Sequence, residues 1–180
     1  MSWSEAFRSV RRGLGAVALI APLLAGCAGE GGFRPMYATP LDGSPSVDQK
    51  LSAVEFSSIP GRVGQRIRNE LMFQATGGGE ASQPRYKLEV ILKERIITTL
   101  VNRDGQSLGQ VYTVDANFRL ISLSDKAVIL TGASYGRASF ERFTSIYANV
   151  RAREDAENRV ARTIASDIRS RLAAFLSSRV

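Results

Sequence analysis

Cys27 carries the only thiol of a 180-residue chain that contains no histidine. A thiolate is a nucleophile, but without imidazole or a second cysteine its options narrow sharply. Zinc sites, Ser–His and Cys–His nucleophile pairs and imidazole acid–base catalysis each lose the residue they normally rely on. Carboxylate pairs remain possible in principle, yet the acidic residues fall mostly on polar faces beside Arg or Lys, where solvated ion pairing accounts for them. The chain is therefore expected to be no enzyme and to need no cofactor. Cys27 is then a residue to be modified, and its surroundings say how. Arg8, Arg11 and Arg12 form a basic segment, Leu14 to Leu24 an apolar run, and Ala25-Gly26 a small pair directly before the thiol. Basic region, apolar region and small residues are the parts of a secretory signal, with an apolar run too short to span a bilayer.

Leu24-Ala25-Gly26-Cys27 resembles the lipobox of bacterial lipoproteins. That resemblance implies a diacylglyceryl group on the Cys27 sulfur, cleavage before Cys27 and acylation of the new amine. The alternative is an ordinary signal cut at Ala25 or Ala28, which leaves a free thiol. Stable anchoring takes more than one acyl chain, a condition that a lipoprotein's chains meet together. Residue 28 is Ala rather than Asp, which by resemblance to enterobacterial sorting favours the outer membrane, with the protein on its periplasmic side.

Across the whole chain 24 basic residues face 17 acidic ones. Residues 1–26 take three arginines and Glu5 with them, so the mature chain keeps 21 basic and 16 acidic residues, net +5. In the periplasm the abundant polyanions are phosphorylated lipids, so this charge points to lipopolysaccharide or anionic headgroups and not to nucleic acid. A merely solvated basic surface is the competing explanation.

Beyond the signal, residues 27–50 read as a lipidated tether. Residues 28–50 hold four glycines and three prolines, a composition that does not bury enough surface to offset its ordering entropy. Within them Gly32-Phe33-Arg34-Pro35-Met36-Tyr37 concentrates three large apolar side chains. Those side chains are either incidental or dock on the domain or on a partner. Residues 51–180 form the domain. A first strand is expected over Leu51–Ser57. After Pro60-Gly61, Val63, Ile67 and Leu71 predict a helix over Arg62–Ala75, stopped by Gly77-Gly78-Gly79. Tyr86, Leu88, Val90 and Leu92 alternate with charged residues as a half-buried strand does, and Ile96–Val101 extends it. Asp104-Gly105 suits the tip of a hairpin. The return strand carries Tyr112, Val114, Ala116, Phe118 and Leu120. A turn at Ser122–Lys126 leads to a strand over Ala127–Ser139. Phe140–Asn149 is expected as a loop rich in large side chains. A final helix, Val150–Ser177, repeats Ala156, Val160, Ile164, Ile168, Leu172 and Leu176 at every fourth residue. The order β-α-β-β-β-α predicts an α+β two-layer sandwich, a four-stranded, mainly antiparallel sheet with two helices on one face.

Four features in this order resemble the LptE family of lipopolysaccharide-assembly lipoproteins. They are the lipobox, the Gly32–Tyr37 segment, the helix Arg62–Leu71 with Arg68-Asn69 ahead of Leu71, and the turn Arg103-Asp104-Gly105-Gln106. The resemblance implies the LptD-type outer-membrane β-barrel as partner, with this chain plugging it and helping its assembly, and lipopolysaccharide as cargo inserted into the outer leaflet. It carries over Cys27 as the lipid attachment and Arg103 as a phosphate contact, since a guanidinium binds phosphate through paired donors. Arg137 and Lys126, basic residues near strand ends, are further lipopolysaccharide-binding candidates, with solvated surface charge as the alternative for each. For Phe140, Phe143 and Tyr147, contact with the barrel wall competes with packing under the last helix. A lipid-anchored binding component of another periplasmic envelope transport system is the rival function.

Overall fold

Ser46 opens the first element: its hydroxyl accepts from the Gln49 amide while the Gln49 side chain accepts from the Ser46 amide, a capping box. The computed structural model describes residues 45–80, 82–101 and 107–178. The capped helix α1 (Val47–Ser52) buries Val47 and Leu51, four apart on one face. It is followed by β1 (Val54–Phe56), α2 (Gly61–Thr76), β2 (Tyr86–Val101), β3 (Ser107–Ser122), β4 (Val128–Glu141) and α3 (Ile146–Ser177). The boundary drawn at residues 50 and 51 thus falls inside α1, and the first strand is three residues rather than seven.

The sheet order is β1-β2-β3-β4, with β1 parallel to β2 and the other pairs antiparallel. A parallel pair needs a crossover, and α2 supplies it. Its inner face is the expected Val63, Ile67 and Leu71, extended by Ala75. Gly77 ends the helix in the left-handed region at φ 62°, where a β-carbon is unfavourable. Among the described residues there are three helices rather than two, and the two-layer α+β architecture is as expected.

Leu88 and Val90 on β2, Tyr112, Val114, Ala116, Phe118 and Leu120 on β3, and Ala138 on β4 meet the helices in one core. The whole expected stripe of α3, from Ala156 to Leu176, is buried there. At 32 residues α3 is roughly 48 Å long, and burial of this stripe supplies most of its stability. The helix comes close to the sheet at Gly136, where an added Cβ would lie 2.8 Å from Val160 and 3.1 Å from Ile164. The ion pairs Asp155–Arg159 and Asp167–Arg171 decorate its wet side at 2.8 and 3.1 Å.

Beyond the core, β2 runs on past its helical cover: residues 93–99 are all exposed. The region expected as a loop is mostly regular. Phe140 and Glu141 finish β4, Ile146 to Asn149 begin α3, and only residues 142–145 connect them. The connection is short because Ser145 caps the helix, accepting from Ala148 N.

Candidate partner surface and anion-binding residues

Asn149 shapes the β4–α3 connection. Its Oδ1 accepts from Phe143 N at 2.6 Å and its Nδ2 donates to Phe143 O at 2.7 Å, so one side chain stands in for a backbone partner. The connection and the first turns of α3 then present Phe143, Ile146, Tyr147 and Val150 with 47, 82, 75 and 50% of their surface exposed. The same end of the sheet carries Ile96 and Ile97, exposed on opposite faces of β2. Clustered exposed apolar side chains of this kind mark contact surfaces.

The three aromatic candidates divide. Phe140 is partly buried and packs against the core, so packing wins there. Phe143 and Tyr147 are open to contact. Ile146, in the segment expected as a loop, and Val150, the expected first residue of the helix, join them without having been candidates: the every-fourth pattern from Ala156 steps back to Ala152 and Ala148, leaving Ile146, Tyr147 and Val150 off the buried register.

Beneath this end lies a polar network. Glu157, buried on α3, accepts from Arg62 Nε on α2 and Arg153 Nε, each at 2.8 Å. Close by, the Tyr112 hydroxyl donates to Glu94 Oε2 at 2.5 Å. Burial, then the Glu94 carboxylate, pushes the Tyr112 phenol well above its usual range. The network fixes the N-terminal half of α3 to α2.

The sheet face away from the helices carries the charge. Register sets Arg95, Thr113 and Arg137 side by side across β2, β3 and β4. Strands are about 4.8 Å apart, so the two guanidinium-bearing positions stand roughly 10 Å apart, with the buried Thr113 between them. Arg95 NH2 pairs with Asp115 at 2.6 Å, and Arg119 NH2 with Glu89 at 2.6 Å. The Arg119 hydrogen bond holds the half-buried Glu89 carboxyl below its usual range. Arg137 and Lys93 have no acidic partner among the described residues. Lys93 and Arg95 stand on β2, where strand alternation does not separate a binding residue from a solvated charge. Lys126 lies in the β3–β4 turn with φ 56°. It is about nine strand residues, roughly 30 Å, from Arg137, so the two do not share a patch. Arg103 and Cys27 lie outside the described residues, as do the Gly32–Tyr37 segment and the hairpin turn. No described helix is long and apolar enough to cross a membrane. No described cluster of acidic, His or Cys side chains is suited to a metal ion.

Comparison with known proteins places this geometry. A candidate lipoprotein from Caulobacter crescentus has the same fold, with TM-score 0.61 and 22% identity over 74% of this chain and 97% of its own. The rare lipoprotein B of Shewanella oneidensis superposes with TM-score 0.52 and 12% identity, covering 70% of this chain and 96% of that one. A minor lipoprotein from Acinetobacter baumannii gives 0.51 and 12%, covering 68% and 92%. At these identities the likeness concerns the fold. No curated protein matches the sequence. The family model for lipopolysaccharide assembly, LptE, matches residues 49–172, from within α1 to the last turns of α3, and the chain belongs to that family.

Proposed function

We propose that this lipopolysaccharide-assembly protein is anchored to the outer membrane through acylated Cys27, on the periplasmic side, and seats in an LptD-type β-barrel. There it supports folding of the barrel and passage of lipopolysaccharide to the outer leaflet. The observation that carries the reading is the exposed cluster Phe143, Ile146, Tyr147 and Val150, held rigidly by Asn149 at one end of the domain. A barrel of many strands has a wide polar lumen that must be filled if the membrane is to stay sealed. A domain with radius of gyration of about 14 Å is of a size to sit in such a lumen. Arg137 and Arg103 are the phosphate contacts of this reading, and Lys126 stands apart from Arg137. No covalent chemistry is asked of the domain. Depleting the protein in cells should lower correctly folded barrel and surface lipopolysaccharide together; normal levels of both would overturn the proposal.

A further inference from the structure

β4 is the far edge of the sheet and pairs with β3 alone. In an antiparallel pair, alternate residues exchange both backbone bonds with the partner strand, and those between turn both groups away. Arg159 of α3 donates to the Ser139 carbonyl at 2.9 Å, so the odd-numbered residues of β4 are the ones turned away from β3. The register is unbroken from Leu130 to Glu141, so Thr131, Ala133, Tyr135, Arg137, Ser139 and Glu141 all present amide and carbonyl outward. All six are exposed, in a row about 34 Å long. Among the described residues, the Arg159 contact is the one bond these outward groups make. Such edges are ordinarily blunted by Lys, Pro or a bulge. From 130 to 141, β4 has none of the three.

We propose that this edge receives an extended segment of the partner barrel's own chain as a fifth strand, which rests on the seating in a barrel proposed above. Only another strand repeats donors and acceptors at the spacing β4 offers, one outward residue about every 6.8 Å. Each wall strand of a closed barrel is already paired on both sides, so the segment comes from outside the wall. Continuity sets its position. β4 ends at Glu141, and only residues 142–145 separate it from the start of α3. A partner seated on Phe143, Ile146 and Tyr147 therefore meets the end of the free edge directly. The flanks set its chemistry. Arg137, without an acidic partner among the described residues, calls for a carboxylate on the outer face of the added strand. Arg171 of α3 and Ser134 and Tyr135 of β4 line a common cavity of ≈ 410 Å³, and the buried Ser134 hydroxyl has no hydrogen-bond partner among the described residues. Polar side chains of the added strand suit this stretch. A second copy fits poorly. α3 packs on β4 itself, at Gly136, and two-fold pairing of β4 strands about 4.8 Å apart would crowd two helices that need about 8–10 Å between their axes.

In the purified lipoprotein without barrel, amide exchange resolved by residue should be fast at Ala133, Tyr135 and Arg137. It should be slow at Ser134, Gly136 and Ala138, whose amides face β3. In the complex with the barrel, in mild detergent, the three outward amides should slow roughly tenfold or more while the inward three stay as they were. A133P removes a donor that the fold itself does not use, and proline is tolerated on such an edge. The variant should stay folded yet hold the barrel about tenfold less tightly. The exchange measurement on the wild-type complex stands whether or not A133P folds. Barrel that co-purifies while the outward amides keep exchanging fast would overturn the added strand alone, as would a folded A133P that holds the barrel like wild type. So would outward protection that appears without barrel and fades on dilution, the mark of a second copy. Absence of the barrel from the purified protein would overturn the functional reading and this proposal with it.

Discussion

Replacing Ile146 and Tyr147 together with serine removes the two most exposed large side chains of the apolar cluster, 82 and 75% open to solvent. Fully burying a side chain of this size contributes about 1.5–3 kcal/mol. Three-quarters or more of that surface is still available to a partner, so each residue offers roughly 1–2.5 kcal/mol to the interface. Losing both should cost about 3 kcal/mol, on the order of a hundredfold in affinity for the barrel. Folding should be spared, because exposed positions usually change stability by no more than about 0.5 kcal/mol. Ser145 and Asn149, which set the helix start, are untouched. The contrast is F140A: that ring packs against the core, and its loss should lower stability by about 2 kcal/mol or more. The assay is retention of barrel by tagged lipoprotein in mild detergent, titrated against free domain, with thermal melts run alongside. Undiminished retention by the double serine variant would refute the placement of the contact surface. A large drop in its melting temperature would refute the claim that these side chains are spare.

Glu157 should show the logic of buried charge. E157Q leaves Arg62 and Arg153 about half exposed and free to meet water, so it should cost about 2 kcal/mol, measured by chemical denaturation. Removing both arginines strands the buried carboxylate and should cost more, about 3–5 kcal/mol. Tyr112 has a phenol pKa raised by folding, so below pH 10 both states are protonated and its contribution is complete. Above pH 10 the unfolded chain loses that proton first, and stability should fall by up to about 1.4 kcal/mol per pH unit, a slope that Y112F should lessen in alkaline denaturation. R137E should weaken lipopolysaccharide binding by the purified protein, with wild-type binding itself declining as salt rises, whereas K126E, several Debye lengths away, should leave the Arg137 contact unaltered.

The sheet was readable because Tyr86–Leu92 and Tyr112–Leu120 alternate, and α3 because its stripe never breaks. The start of the domain was harder. Leu51, Val54 and Phe56 suit a strand by type, while the decisive signal was the Ser46–Gln49 capping box just ahead of them. Large side chains alone suggested a loop at 140–149. The helix there rests on Ser145 and Asn149, whose local hydrogen bonds are stated by no hydrophobic pattern. The charged face shows the same limit. Arg137 could be picked out in isolation, but its alignment with Arg95 across Thr113 depends on the register of three strands. Exposure is also a property of the assembled fold, so Phe140 and Tyr147 looked alike until one was covered and the other left open.

Purifying the tagged, lipidated protein from membranes in mild detergent and weighing what accompanies it tests the central reading most directly. A single outer-membrane β-barrel in one-to-one ratio, with acyl chains on Cys27, is the expected result. Inner-membrane transporter subunits in its place, or a soluble product with a free Cys27 thiol, would contradict it.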